Sequence, residues 1–267
     1  MQDLLNYFPP ITLSEMKSVK LLNRIDTKYV TTRRKLMMFL ELARNEYFVQ
    51  DCQGRRLMPY HTIYLDTPQL TMYHEHQRGK KHRYKVRMRT YENDMATFIE
   101  VKDKSNKGRT RKKRIEKDDM LWAPEHDGNT IADTLTPDEV RAHTFVQQLV
   151  PYDADMLLPT IENRFRRITL VNKAMTERLT IDLDLRFHNN INGNDQQLPD
   201  IVVIELKRDG LIPSPAIGLL RQLRIKQQGF SKMAIGMALT SPDLKQNLFK
   251  ERIRLIQRLT GSENEES

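Results

Sequence analysis

Several residue types and patterns are scarce in this 267-residue chain, and each scarcity excludes a class of protein. A single cysteine, Cys52, rules out an internal disulfide and any zinc site built on several thiolates, and is compatible with a reducing compartment. No stretch approaches the roughly 18 to 20 consecutive apolar residues of a membrane-crossing helix. The N-terminal MQDLLNYFPPITLSEMKSVK puts acidic and proline residues where a secretion signal needs a basic start and an unbroken apolar run, so no signal peptide is read and a cytoplasmic chain is expected. The seven histidines lack metal-ligand spacing, and His74, His76 and His82 are expected in exposed loops. Acidic residues are outnumbered, 35 against 44 lysines and arginines; the formal net charge of +9 makes an anionic partner the first to consider.

What is present is a core's worth of apolar residues, 39%, beside an unusual 30% of charged ones. No repeat or linker divides the chain, so one domain is expected over 1–260, with GSENEES (261–267) as a disordered tail. Thr12 followed by Glu15 forms a capping-box pattern and predicts a helix over 12–23. RIDTKYV (24–30) alternates like a strand, and 31–44 resumes helical spacing with Thr31 or Thr32 as cap. Strands are predicted at YFVQ and over 60–66, 83–91, 96–104 and 109–117, then, after a helix over 137–150, over 158–171, 177–187 and 200–208. Serine-opened helices follow over 214–225, 231–239 and 241–259.

The alternation carries the functional argument, because every second residue of a strand points to the same face. RYKVRMRTY sorts Arg83, Lys85, Arg87 and Arg89 to one side and Tyr84, Val86 and Met88 to the other. The same sorting groups Glu100, Lys102 and Lys104; Arg178, Thr180, Asp182, Asp184 and Arg186; Glu205 and Lys207; and Arg24, Asp26 and Lys28. One such strand is an ordinary half-wet strand of an antiparallel sheet. The set is different, since arginine recurs and like charges in rows repel unless something anionic lies among them. If the sheet closes, the charged faces line a water-filled tunnel and the apolar faces lie outside under helices.

Taken in order, RIDTKY, YLDT, RYKVRMRTY, FIEVKDK, NRFRR, ERLTIDLDL, VVIELK and FSKM resemble the sequence blocks of the VTC domain, the polyphosphate polymerase family within the triphosphate tunnel metalloenzymes. The resemblance implies an α+β fold: an antiparallel eight-stranded β-barrel tunnel with a charged interior, flanked by α-helices. It implies ATP and polyphosphate as partners, no nucleic acid, and a divalent ion, Mn2+ or Mg2+, held by a strand glutamate. Carried over block by block, the phosphate ligands are Lys28, Arg87, Arg89, Lys102, Arg164, Arg178, Lys207 and Lys232, with Lys28, Arg87, Arg89, Lys207 and Lys232 as the catalytic set and Glu205 at the metal. Lys113, from the basic stretch KGRTRKKRIEK, is added as a lining residue. Relatives of this kind also imply a separate membrane protein that would hold the chain at the inner face of a membrane.

These residue types suit the chemistry. Arginine forks hold paired phosphate oxygens, lysines give point charges, and phosphoryl transfer needs alignment and neutralisation more than a nucleophile triad. Hydrolytic relatives begin with ExExK, whereas this chain has Arg24-x-Asp26-x-Lys28. That departure favours a polymerase over a triphosphatase, and Asp26 is expected to pair with a neighbouring cation. Two alternatives remain open: a triphosphatase or nucleotide hydrolase on the same scaffold, and a non-catalytic binder of polyphosphate or RNA.

Overall fold

The computed structural model describes residues 1–16, 19, 24–92, 95–106, 110–122, 135–210 and 212–264. The chain starts with α1 (Gln2–Asn6), β1 (Pro10–Ile11) and α2 (Leu13–Met16), then β2 (Arg24–Thr32), α3 (Arg33–Ala43), β3 (Tyr47–Gln50) and β4 (Met58–Asp66). After α4 (Thr71–Gln77) come β5 (Arg83–Tyr91), β6 (Ala96–Lys104) and β7 (Thr110–Lys117), then α5 (Pro137–Gln147), β8 (Leu158–Asn172), β9 (Glu177–Asn189), β10 (Asp195–Leu198) and β11 (Ile201–Asp209). The last elements are α6 (Pro215–Gln222), α7 (Lys232–Thr240) and α8 (Lys250–Asn264).

Local chemistry explains most boundaries. The Thr12 and Glu15 capping box forms, its N–H bonds 2.7 and 3.3 Å long, but α2 is described only to Met16; residues 17, 18 and 20–23 of the expected helix lie outside the described residues. Thr32, Ser214 and Ser231 each accept a backbone N–H at the start of their helices, and Thr136 completes a capping box with Glu139 before α5. Two expectations shift at the end of the chain. The final helix begins at Lys250 because residues from Ser241, with Pro242 and Asp243, turn before a short 3-10 stretch at Asn247–Phe249, and it continues through 261–264, where a disordered tail was expected. Helix α4 was not anticipated, since Leu70 at its N-cap offers no side-chain bond and takes a left-handed φ of 54°.

Eight strands form one antiparallel path in the order β2, β11, β9, β8, β4, β5, β6, β7. Lys28 on β2 donates to the Phe230 carbonyl at 3.1 Å, while Lys85 on β5 donates to the neighbouring Ser231 hydroxyl at 2.7 Å. In a flat sheet these strands would lie about 24 Å apart, five spacings of roughly 4.8 Å. The sheet therefore curls so that its two halves share one interior. Its end strands β2 and β7 share no pairing among the described residues; the expected closed barrel is an open curl. The edge of β2 is covered instead by an antiparallel bridge from Tyr29 to Gln227 and a 2.8 Å bond from Gln228 N–H to the Lys28 carbonyl.

The apolar faces lie outside, as the alternation requires. Leu36, Phe39 and Leu40 of α3 and Ala216 and Leu220 of α6 join Leu179, Ile181, Ile204 and Leu206 in one buried cluster. Val86, Met88, Ile99 and Val101 belong to a second cluster with Met72 and Tyr73 of α4 and Ala142 and Val146 of α5. Each fully buried Val, Leu, Ile, Phe or Met among them contributes about 1.5–3 kcal/mol. Helix α7 departs from this plan and packs within the curl. A Cβ on Gly236 would lie 2.5 Å from Phe187 Cδ1 and 3.1 Å from Ile161 Cγ1, so only glycine allows this approach.

A β-bulge makes room for α7. The pairing of β8 with β9 slips between Arg164 and Arg166, where Asp184 takes a φ of 56°. Before the bulge Arg178, Thr180 and Asp182 face inward; beyond it Leu185 and Phe187 do, and Arg186 is exposed. The expected grouping of Asp184 and Arg186 with the inward charges is thereby corrected.

Candidate functional site

Strand pairing determines which charges meet. Arg87 lies opposite Tyr64 and Glu100, Arg89 opposite Thr62 and Phe98, Lys102 opposite Lys85 and Lys112, and Lys207 opposite Asp26 and Arg178. All of these positions share the concave face, and α7 contributes Lys232 from its first turn.

Three inward carboxylates are each held by two cations. Glu100 accepts from Arg87 Nε at 2.8 Å and Nη2 at 2.6 Å and also pairs with Lys112. Asp182 takes a two-pronged Arg167 at 2.6 and 2.8 Å and Lys232. Glu205 lies 2.9 Å from Lys207 and 3.6 Å from Lys28. Burial opposes ionisation of all three, yet their cationic partners hold each carboxyl well below the usual carboxylate range.

Other inward cations have no carboxylate partner among the described residues. Lys85 donates to the Ser231 hydroxyl, and Arg89 to Thr62 Oγ1 at 3.2 Å with its guanidinium over the Tyr60 ring. Lys102 makes no ion pair among the described residues. The Arg87 charge, burial and the Arg89 charge push Lys102 well below the ordinary lysine value; burial and then Lys28 do the same to Lys85. Burial lowers Lys112 and Lys232 to about 8 despite their carboxylates. Positive charge crowded without matching anions in an enclosed space is a binding site for a multiply charged anion.

The structure brings Lys28, Arg87, Arg89, Lys102, Lys207, Lys232 and Glu205 together in the interior of the curl. Asp26 pairs with Arg24 at 2.7 Å, as expected. Arg178 lies on the same face toward one end, its guanidinium 2.9 Å from the Met16 carbonyl. Two expectations fail. Lys113 pairs with Val101 and is exposed on the outer face, while its neighbour Lys112 takes the inward position. Arg164 pairs with His61, its side chain 58% exposed and 3.3 Å from Glu92; Arg167 is the inward arginine of that strand. Both errors are one of strand parity, which a basic run of KKR or NRFRR conceals. Two histidines differ too: His74 and His76 are half-buried on α4, burial lowering His76 to about 2, whereas His82 lies in the loop before β5, its side chain 43% exposed and 2.9 Å from Asp103.

Sequence reasoning missed Arg167 and Lys112 as site residues, and Asp182 and Glu100 as the carboxylates that position cations; Lys85 was sorted to the right face but given no role. Among the described residues no group of three or more His, Cys, Asp or Glu side chains could hold a metal.

A curled antiparallel sheet that lines its interior with surplus arginine and lysine makes a cationic tunnel suited to a polyanion. The chain belongs to the VTC domain family, whose model matches residues 23–241. No curated protein matches it. Among solved structures, a candidate adenylyl cyclase from Hippeastrum with a dominant triphosphatase activity aligns at 12% identity and a TM-score of 0.46, covering 84% of this chain and 100% of its own. Candidate adenylate cyclases from Vibrio parahaemolyticus and Bacillus halodurans align at TM-scores of 0.44 and 0.43, each at 12% identity, covering 81% and 79% of this chain and 98% and 96% of their own. Among the described residues no helix is long and apolar enough to cross a membrane.

Proposed function

We propose that the chain is a polyphosphate polymerase that transfers the γ-phosphoryl group of ATP to the end of a polyphosphate chain. The observation that carries this reading is that Glu100, Asp182 and Glu205 are each clamped by two cations and held well below the usual carboxylate range. A carboxylate so depressed is a poor proton acceptor, so the interior is badly equipped to deprotonate water. A terminal phosphate oxygen is already anionic and needs no base. It attacks the γ-phosphorus, the bond to the β–γ bridging oxygen breaks, and ADP leaves with that electron pair. Lys28, Arg87, Arg89, Lys102, Lys207 and Lys232 would align the two phosphate chains and neutralise the charge spread over the transferred group.

The family resemblance implies Mn2+ or Mg2+. Glu205 is a single carboxylate with two lysines beside it, a donor set that fits an ion carried in by phosphate oxygens rather than one caged by protein. Held by Glu205, the ion would offset the negative charge of the phosphate groups.

The test is to incubate the protein with ATP and Mn2+ and separate ADP, free phosphate and polyphosphate. Polymer with stoichiometric ADP is expected, and Glu205→Gln and Lys207→Ala should abolish it while leaving the melting curve cooperative. Free phosphate without polymer would make the protein a triphosphatase.

A further inference from the structure

A second basic recess lies outside the curl. It has a volume of about 910 Å³, between the 224–228 segment, the start of α3 and one face of α8. Five cations line it: Lys35, Arg224, Lys226, Arg254 and Arg258, against one carboxylate, Glu251. None of the five forms an ion pair among the described residues, although the protein pairs most of its inward charges. Arg254 and Arg258 stand four residues apart on one helix face, with Leu255 and Leu259 beside them. Solvated helix faces usually interleave both signs.

The recess and the interior are joined by one run of backbone. Arg224, in the left-handed region at a φ of 54°, turns the chain so that Gln227 bridges Tyr29 and Gln228 bonds to Lys28. Two residues later Phe230 receives the Lys28 ammonium, Ser231 receives Lys85, and Lys232 pairs with Asp182 inside the curl. Val30, on the same face of β2 as Lys28, lines the recess as well.

We infer that this recess is an outer track for polyphosphate, binding the part of the chain that extends past the interior over the edge of β2. The inference rests on the phosphate-chain reading of the interior, but not on catalysis. A repeating phosphate chain needs spaced point charges with no base-stacking surface, and the described lining offers lysine, arginine and glutamine without an aromatic ring.

The experiment measures equilibrium binding of tripolyphosphate and of polyphosphate of about a hundred units, without ATP or metal. The proteins are wild type, the triple variant Lys226→Gln/Arg254→Gln/Arg258→Gln, and the interior variant Lys207→Met. The triple variant should bind the long chain roughly tenfold more weakly, with a salt slope reduced by up to about one for each cation removed, and should bind tripolyphosphate as wild type does. Lys207→Met should weaken both. Long-chain binding unchanged in the triple variant would overturn the track. So would a loss confined to vesicles of anionic phospholipid, which would make the recess a membrane contact. Failure of Lys207→Met to weaken tripolyphosphate binding would instead refute the phosphate reading of the interior.

Discussion

Replacing Glu100 by glutamine changes the charge of the interior while keeping its shape. Glu100 has a fully buried side chain and holds Arg87, itself 8% exposed, through two bonds of 2.8 and 2.6 Å. In Glu100→Gln the amide oxygen still accepts from that guanidinium, beside the Tyr64 hydroxyl at 3.4 Å, but the negative charge that balanced it is gone. Removing one member of a buried pair costs about 3–5 kcal/mol, because the other charge stays buried without compensation. The second partner, Lys112, is 36% exposed, so solvent screens its share and it adds little. At about 2 °C per kcal/mol for a chain of this size, the empty variant should melt roughly 6–10 °C below wild type. Tripolyphosphate reverses the comparison. At a hundred times its Kd it stabilises wild type by about 2.7 kcal/mol. In the variant Arg87 and Lys112 are released to phosphate oxygens, so Kd falls, and each tenfold fall adds about 1.4 kcal/mol, or roughly 3 °C, at the same concentration. Thermal unfolding at fixed ionic strength without divalent metal, with and without tripolyphosphate, reads both effects. An empty variant as stable as wild type, or a smaller ligand-induced rise in the variant, would refute the argument that Glu100 stands in for missing phosphate.

Lys102→Met removes a cation that makes no ion pair among the described residues, so the empty protein should gain about 0.5–2 kcal/mol in denaturant unfolding while tripolyphosphate binding weakens. Lys113→Gln and Arg164→Gln should leave tripolyphosphate affinity unchanged, whereas Lys112→Gln and Arg167→Gln should lower it; titration calorimetry on the four variants checks the strand parity. Lys112 and Lys232 sit at about 8 when folded against an ordinary 10.5, so between those values the unfolded chain binds more protons. Stability of the empty protein should therefore rise with pH from about 8 toward 10.5, while tripolyphosphate affinity falls as pH passes about 8 and the two ammonium groups discharge. A flat stability profile with undiminished binding across that range would contradict the burial of both lysines.

The strands were legible because alternation between charge and apolar residue is strict: β5 and β6 run over 83–91 and 96–104 as read. Helix starts were legible where a serine or threonine sits at the N-cap, and α4, whose N-cap is Leu70 and whose first N–H groups go to Thr67 and Asp66 further back, was not. The interior placement of Lys28, Lys207 and Lys232 was legible through their blocks, whereas Lys113 was chosen over Lys112 because a run of adjacent cations carries no sign of which one points inward.

The sequence by itself determined that a β-rich chain would sort cations to one face of its strands, because the period of two is built into extended backbone. Which cations meet was decided only by tertiary structure. Pairing register puts Arg167 inward and Arg164 outward. The bulge at Asp184 turns Arg186 out, and the curl brings Lys28 and Lys85 to adjacent residues of one segment. These are contacts between strands and segments distant in sequence, and local periodicity cannot encode the phase of one strand relative to another.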